Sequence, residues 1–405
     1  MNGKIGKYAL VSLAIIVLAW YLPYFFNLLF KENIRPPYPV YSAIKQDYYF
    51  FNRKGPGIVD KKGNEFSIKQ ADSLLPLFYY RQLYAQGKMP DSVQGIAMTP
   101  SLFKAKTYMT RLKAKDYDRP EIKLYPLFET VLKRGKLTMP NDVFRIGKKM
   151  EFIDCQSNTI NEKKSEQFTQ TLKKSGFTFP ADMIVGNPSA RKPYDWGYFV
   201  LDQKGELFRI WMRKGKAFCR HIKKADNMSE IARLVVTEHS SKRFFATILD
   251  SNGKVFHLSA PTYKWERLPI DPINPKTDDI SINGNPLYHL VRVINNNEIK
   301  AYAIKQDYSL ENSYSIRLDK WEDKNPGKLK SYIFPFVLSS KKEGSDFVNF
   351  HFKKFAWSSI WVNLFFAILF FLTEKKQCRH ERYFGFALCC LFGIYALIPL
   401  KVLVL

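Results

Sequence analysis

The chain lacks the motifs that mark common catalytic and nucleotide sites. It contains no G-x-x-x-x-G-K-[ST] phosphate loop, no GxGxxG after a predicted strand and no H-E-x-x-H zinc motif. A G-x-S-x-G nucleophile elbow is also missing, and the 6 histidines are dispersed. The sequence therefore nominates no catalytic residue, no cofactor and no metal, and a role other than catalysis is favoured.

Cysteine is scarce as well. Of 5 cysteines, only Cys155 and Cys219 lie outside the long apolar stretches and the short loop between them. In an oxidising compartment these two could form one disulfide, and spacing alone leaves their pairing open. Cys219 and His221 would share one face of a strand, but two ligands are too few to predict a metal site.

Charged residues are absent from the interiors of three long apolar stretches, 8–30, 355–373 and 384–405, where the third runs to about Leu400 and is extended past Lys401 by 402–405. A membrane-spanning helix needs roughly 20 apolar residues, so the pattern predicts three transmembrane helices around one large domain, 31–354. Charges inside a span usually mark ion paths or proton relays. Their absence argues against a channel or secondary transporter formed by this chain alone.

The short flanks predict the orientation. Lys4 and Lys7 precede the first stretch, and the loop 374–383 carries four basic residues. Basic residues in short loops stay in the cytoplasm, so we expect a multi-pass protein of the bacterial inner membrane with a cytoplasmic N-terminus and a periplasmic main domain. A cleaved signal peptide is the alternative, although the first stretch exceeds the usual apolar length of roughly 7–15 residues.

Acidic residues are in short supply. The net charge is +26, and the segment 31–354 carries +21 from 56 basic and 35 acidic residues. Such a field attracts anions. Nucleic acid is not expected outside the cytoplasm, which leaves lipid headgroups, an acidic partner or an acidic envelope polymer. A general bias toward lysine explains the charge equally well.

Turn signals predict a sheet-rich α+β domain. Asp60, Asp202 and Asp250 each precede a glycine by three residues between strand-like runs, which is typical of a β-hairpin. The last two are 48 residues apart, and Asp154 lies another 48 before. A propeller is one option, since blades repeat at roughly 40–50 residues. A predicted helix at 165–176 favours hairpins in a mixed-sheet domain instead.

Three further patterns concern the rest of this domain. Segments 74–91 and 124–142 resemble each other and predict two short helices, the second from the spacing of Leu127, Phe128, Val131 and Leu132. Proline-rich residues 33–42 predict an extended linker. The hexapeptide AIKQDY occurs at 43–48 and 303–308, which suggests equivalent first and last strands that close a single fold.

One loop, 186–199, combines aromatic and basic residues, which are common anchors of recognition surfaces. It is the best candidate for partner or ligand binding. Alternatively, its aromatic residues cap the sheet core while a basic residue pairs with the aspartate. The candidate residues are Arg191, Lys192, Tyr194, Asp195, Trp196 and Tyr198.

Several segments resemble an uncharacterised bacterial family of membrane-anchored proteins of about 400 residues. The similar motifs are LLPLFYYRQL, LYPLFE, DVFRIG, SGFTFP and GNPSARKPYDWGYFVLD with GELF, and the resemblance covers most of residues 40–260 and the flanking helices. The family has an acidic residue where Trp196 stands here. Its members are often encoded beside an ABC-transporter ATPase, and no catalytic residue is known to carry over.

The resemblance implies an accessory or permease-like subunit of an ABC-type complex, whose outer domain binds a partner or substrate. Its partners would be the lipid bilayer, an ABC ATPase or permease subunit, or further copies of the chain. The alternative is a membrane-tethered enzyme acting on envelope material, which predicts a polar cleft with titratable residues. A signal sensor is a third reading, but the short inner loop leaves little room for output.

Overall fold

The computed structural model describes residues 2–31, 36–51, 55–131, 135–341, 345–353, 355–374 and 378–403, and at 2–5, 341 and 353 it describes the backbone only. The chain divides into two compact units. The terminal unit comprises Met1–Pro36 and Arg317–Leu405, and the sheet unit comprises Pro37–Ile316.

The elements are numbered in chain order. The helices of the described chain are α1 Asn2–Phe30, α2 Ile68–Leu74, α3 Tyr80–Ala85, α4 Pro100–Lys106, α5 Glu162–Lys174, α6 Asn325–Ile333, α7 Ile360–Thr373, α8 Arg379–Phe392 and α9 Ile394–Leu403. The strands are β1 Pro39–Ser42, β2 Asp47–Phe51, β3 Ile58–Asp60, β4 Glu65–Phe66, β5 Ser92–Val93, β6 Ile96–Ala97, β7 Tyr108–Leu112, β8 Asp142–Ile146, β9 Met150–Asp154, β10 Ala181–Val185, β11 Tyr198–Asp202, β12 Leu207–Arg213, β13 Lys216–Ile222, β14 Ile231–Val235, β15 Phe244–Asp250, β16 Val255–Ser259, β17 Trp265–Arg267, β18 Asp279–Gly284, β19 Tyr288–Ile294, β20 Glu298–Lys305, β21 Leu310–Arg317, β22 Val337–Lys341 and β23 Val348–Lys353.

The terminal unit contains the N-terminal apolar helix. Within the described residues, Gly6–Phe30 is the one helix long and apolar enough to cross a membrane, and a signal sequence would have the same properties. The expected second and third spans form shorter helices: α7 has 14 residues, and the third stretch is divided into α8 and α9. The structure therefore supports one candidate span rather than three.

The division between α8 and α9 has a local cause. Gly393 adopts a φ of +55°, and a Cβ there would lie 2.1 Å from the Oδ1 of Asn363. The Asn363 side chain also donates to the Cys390 carbonyl at 3.3 Å, so it lies against the last turn of α8, where Gly393 ends the helix. Of the expected loop 374–383, residues 375–377 lie outside the described residues, and Arg379 already begins α8.

The sheet unit contains a series of antiparallel sheets. Two four-stranded sheets follow each other with strands in chain order, β10–β13 and β14–β17. Each has the same register shift in its first strand pair, beside Ala181 opposite Asp202 and beside Ile231 opposite Asp250. This up-and-down connectivity occurs both in propeller blades and in other antiparallel sheets.

The predicted aspartate turns are present as hairpins. Asp60 Oδ1 accepts from Lys62 N at 2.8 Å, and Asp202 Oδ1 accepts from Lys204 N at 2.9 Å. The residue four positions after each aspartate also donates its backbone N–H to Oδ1, including Lys254 to Asp250 at 2.8 Å. The carboxylate thus satisfies the turn amides that the strand ladder leaves unpaired.

A five-stranded sheet joins distant parts of the unit. Its order is β21-β20-β19-β18-β7, so β7 pairs with a strand that follows it by roughly 170 residues. The two AIKQDY segments occupy different parts of their hairpins, since 43–46 form the turn before β2 whereas 303–305 end β20. The first segment contacts β21: Asn312 Nδ2 donates to the Gln46 carbonyl at 2.9 Å, and Tyr48 Oη donates to the Asn312 carbonyl at 3.2 Å. Strands β1 and β2 belong to one sheet and β21 to another, so the closure of a single fold by equivalent first and last strands stays a prediction.

One predicted helix is present in the structure and another is not. Glu162–Lys174 is helical with Asn161 as its N-cap and Gly176 after its end, as the sequence predicts. The predicted helix in 124–142 is wrong over the described residues, because Tyr125 pairs with Phe144 and Thr130 N donates to the Met212 carbonyl at 3.0 Å. These bonds to neighbouring strands keep the segment extended while it buries Leu127 and Phe128. Leu132 lies outside the described residues.

Candidate ligand-binding cavity

The loop 186–199 is packed into the sheet unit. Lys192 Nζ contacts Asp195 and lies 2.9 Å from Glu238 Oε2, and all three side chains are at most 2% exposed. Tyr194 and Tyr198 are also buried, Trp196 is half-buried and Arg191 is exposed. The pairing of Lys192 with Asp195 is the alternative that the sequence left open, and binding of a partner by this loop stays a prediction.

One ammonium group faces two carboxylates in this cluster. Burial raises the pKa of Glu238 to about 7, although the Lys192 ammonium acts in the opposite direction. Burial likewise raises the pKa of Asp195. Since a second negative charge is costly in a buried site, one carboxyl retains a proton more readily than an exposed carboxyl would.

The cluster also holds the backbone of residues 238–239. Glu238 Oε1 accepts from the Trp196 amide at 2.5 Å, and Tyr194 Oη donates to the His239 carbonyl at 2.8 Å. Burial, followed by the nearby Arg81 guanidinium, lowers the pKa of His239, so its imidazole is neutral at pH 7. The buried Nδ1 of His239 has no hydrogen-bond partner in the described chain. The loop thus holds the backbone that carries this neutral imidazole.

His239 lines a cavity of about 570 Å3 within the sheet unit. Its walls come from β1 and β2, from α3 and the residues before it, and from β7, β18, β19 and β20. Ligand pockets are typically about 300–1,000 Å3 and mostly apolar with few polar groups. Eight aromatic residues line this one: Tyr38, Tyr41, Tyr48, Phe78, Tyr79, Tyr80, Tyr108 and Tyr302.

The charged groups at the cavity are basic. Arg81 and Arg292 line it, and no Asp or Glu does so among the described residues. The Arg292 guanidinium lies 4.1 Å from the centroid of the Tyr38 ring, and Arg81 Nε donates to Tyr80 Oη at 3.0 Å. Aromatic faces thus orient both guanidinium groups and leave donors available to a ligand.

A tyrosine and two buried histidines lie behind one wall. Tyr108 on β7 and His289 on β19 flank Gly284 on β18, and the Tyr108 hydroxyl lies 2.6 Å from His289 Nδ1. A Cβ on Gly284 would lie 1.9 Å from the Tyr108 ring, so only glycine allows this contact. Burial lowers the pKa of His289 to about 3 and that of His257 well below its usual value. Both imidazoles are therefore neutral core groups.

Sequence reasoning missed most of this cavity. Residues 33–42 were expected to be a linker, yet Pro39–Ser42 is a buried strand, and Tyr38–Tyr41 line the cavity. The segment LLPLFYYRQL marked the resemblance but was not nominated as a site, although it supplies Leu77–Gln82. Its run of aromatic residues ending in arginine was the available signal.

The sequence predicted no metal site, and the structure shows how the potential ligands are arranged. No group of three or more His, Cys, Asp or Glu is arranged to hold a metal in the part of the chain that the structure describes. His221 Nε2 lies 2.8 Å from Glu206 Oε2, and two such side chains are fewer than the three that a metal site needs. Cys155 and Cys219 are both free.

Comparison with protein families places the cavity in a defined domain. Residues 38–304 match the model of a domain of unknown function, DUF4857. The chain belongs to the DUF4857 family. Every residue that lines the cavity falls inside the DUF4857 match. No curated protein matches the sequence.

Two solved structures show a distant likeness. One is PorZ, described as an essential bacterial surface component of the type-IX secretion system of Porphyromonas gingivalis, with TM-score 0.24, 11% identity and 69% of this chain covered. This chain spans 27% of the length of PorZ. The other is the β-propeller domain of Cps50 (Swd1) from Myceliophteria thermophila, with TM-score 0.20, 8% identity, and 50% of this chain and 89% of that chain covered. Neither likeness is close enough to bear on the function of the DUF4857 chain.

Proposed function

We propose that this DUF4857 protein is a membrane-anchored accessory or permease-like subunit of an ABC-type complex, and that its sheet unit binds a ligand in the aromatic cavity. The observation that carries the binding role is the cavity itself, about 570 Å3 with eight aromatic residues in its lining. Tyrosine rings offer apolar faces together with hydroxyl groups, so they suit a ligand with an apolar body.

The membrane part of the proposal rests on the terminal unit. Helix α1 would anchor the chain with its N-terminus in the cytoplasm, an orientation that Lys4 and Lys7 support, and the sheet unit would then lie in the periplasm. The shorter apolar helices α7 and α9 contribute Phe370 and Tyr395 to the cluster that contains Val11 and Ile15 of α1. They would enter the bilayer beside it and offer a surface to a permease or to a second copy.

The proposal also includes a sheet unit that is built from repeated hairpins. The matching register shifts opposite Asp202 and Asp250 support hairpins that repeat one structural unit. In a propeller-like arrangement such units surround a central space, where ligand-binding loops commonly meet.

Enzymatic action on envelope material is the rival function. It would require a general acid or base with a partner to orient it. Among the described residues that line the cavity, His239 is the one imidazole and no carboxylate accompanies it, which favours binding.

The binding role is tested with a neutral fluorescent probe, N-phenyl-1-naphthylamine, and the full chain in mild detergent. We expect saturable fluorescence with the natural sequence and its loss in Leu290→Trp, since Leu290 lines the cavity and the indole would occupy it. Leu310→Trp is the matched control, because Leu310 is an exposed residue of β21. Equal binding by all three proteins would contradict a binding role for the cavity.

The subunit role is tested by purification of the tagged protein in mild detergent, followed by mass spectrometry. Stoichiometric recovery of an ATP-binding subunit is the expected result. Recovery of the protein alone, across several detergents and after crosslinking in cells, would exclude the subunit role and leave the binding role standing.

A further inference from the structure

Two arginines flank a buried serine on the cavity side of the five-stranded sheet. Strand register pairs Ser281 of β18 with Arg111 of β7 on one side and with Arg292 of β19 on the other. Residues paired across antiparallel strands project from the same face, and neighbouring strands are about 4.8 Å apart, so the two arginine backbones lie about 10 Å apart. Asn283, two residues after Ser281, shares this face and lines the cavity.

The polar groups of this row are not satisfied within the chain. The Oγ of Ser281 and the Nε of Arg292 are buried without a hydrogen-bond partner in the described structure. No carboxylate of the described chain forms an ion pair with Arg111 or Arg292. Buried polar groups are normally bonded, and each exception calls for an explanation.

Two like charges in one row also repel each other. Burial lowers the pKa of Arg292, and the Arg111 guanidinium acts in the same direction. A shared anion between the two side chains would reverse this repulsion and would accept from the Ser281 hydroxyl. The Tyr38 ring, 4.1 Å from the Arg292 guanidinium, restricts the orientation of the fork, and Tyr38 Oη lies 3.5 Å from Asn283 Nδ2.

We propose that the row Arg111–Ser281–Arg292 binds the oxyanion group of an amphipathic ligand whose apolar body fills the aromatic cavity. This inference rests on the proposed binding role of the cavity. Arg292 donates to one edge of the oxyanion, Arg111 donates from the opposite side and Ser281 donates from the sheet below. A phosphate, sulfonate or carboxylate has the acceptor geometry that a guanidinium fork recognises.

The test compares two probes with similar aromatic bodies, the anion 1-anilinonaphthalene-8-sulfonate and neutral N-phenyl-1-naphthylamine. With the full chain in mild detergent we expect Arg292→Gln to weaken binding of the sulfonate about tenfold or more and to leave the neutral probe unchanged, since only a charge-assisted bond is lost. Arg111→Gln, at an exposed residue that can be replaced without unfolding the sheet, should weaken the sulfonate several-fold.

Two controls make the comparison decisive. Leu290→Trp gives the signal from probe bound elsewhere, and Arg267→Gln removes an exposed arginine of β17 away from the row. The proposed oxyanion site is wrong if Arg292→Gln and Arg267→Gln weaken binding of the sulfonate probe equally. It is also wrong if Arg292→Gln weakens binding of both probes to the same extent.

Inorganic phosphate separates this inference from the cavity proposal. At constant ionic strength, phosphate should raise the unfolding temperature of the natural sequence more than that of Arg292→Gln. Suppose that phosphate has this larger effect on the natural sequence but that the neutral probe shows no cavity-dependent binding. The oxyanion row would then be retained, and the aromatic cavity would be rejected as a binding site. An equal phosphate effect in both proteins, with normal neutral-probe binding, would reject the row and retain the cavity.

Discussion

Two sets of charged side chains in the sheet unit, one buried and one half-buried to exposed, differ in what balances their charges. Lys192 lies between Asp195 and Glu238, and both carboxylates also accept from backbone amides of the loop 186–199. Arg111 and Arg292 face each other across Ser281, with no carboxylate of the described chain beside them. The charges of the first set are paired within the protein, whereas in our proposal the charges of the second set are balanced by a bound anion.

The largest expected effect comes from removing the ammonium group of the paired set. Lys192→Met should reduce the free energy of unfolding by about 3–5 kcal/mol, because it leaves two carboxylates buried without their partner. Denaturant unfolding of the full chain in detergent would measure this loss, with Lys174→Met on the exposed end of α5 as the control. An effect no larger than that of the control would remove the contrast between the two sets.

The pH dependence of the same cluster provides a second comparison. The pKa of Glu238 is about 7 in the folded chain and about 4.5 when unfolded, so the folded state holds the extra proton between these values. Stability from this group is therefore present at low pH and is lost as the pH rises through 7, by at most about 1.4 kcal/mol per pH unit.

The Glu238→Gln variant should not show this loss of stability with rising pH, because its side chain at position 238 does not titrate. The stability of the variant relative to the natural sequence should rise between pH 5 and pH 8. The neutral histidines His257 and His289 titrate in both proteins and cancel in the difference, although each makes the fold less stable as the pH falls below 6.5. If the difference in free energy of unfolding between the variant and the natural sequence stays constant with pH, the raised pKa of Glu238 is contradicted.

A smaller effect is expected where the paired set meets the cavity. Tyr194→Phe removes the hydroxyl that donates to the His239 carbonyl and should cost about 1 kcal/mol of stability. Because this bond positions His239, affinity for the neutral probe should fall slightly as well. Calorimetric unfolding and probe titration of the same sample would reveal whether the two changes occur together.

The smallest effect concerns the stability of the unpaired set. Arg292→Gln should change the free energy of unfolding by no more than about 0.5 kcal/mol, since it removes no ion pair and relieves repulsion from Arg111. This contrasts with Lys192→Met, although both substitutions replace a partly or fully buried cation. A loss above about 2 kcal/mol would mean that the Arg292 side chain supports the fold itself.

The sequence predicted local features better than distant ones. The aspartate turns and α5 depend on nearby residues such as Asp202, Gly205 and Asn161, and they are found where expected. The helix expected around Leu127 was wrong because bonds to β8 and β12 determine its backbone. Helical spacing cannot reveal such partners.

The candidate site was harder to predict for the same reason. The loop 186–199 was nominated from its composition, and composition does not reveal that Lys192 faces Glu238, 46 residues later. The cavity draws on Tyr38, Arg81, Tyr108, His239 and Arg292, which are separated by long intervals of sequence. Only the strand register brings Arg111 and Arg292 to either side of one serine.

The pairing of β7 with β18 also bears on when the protein can first recognise its ligand. Closing a loop of roughly 170 residues costs chain entropy before any contact repays it, so non-local pairings of this kind form slowly. During synthesis, Arg111 leaves the ribosome long before Ser281 and Arg292 exist. The oxyanion row would therefore assemble late, and anion binding would report on completed folding of the sheet unit rather than on any early intermediate.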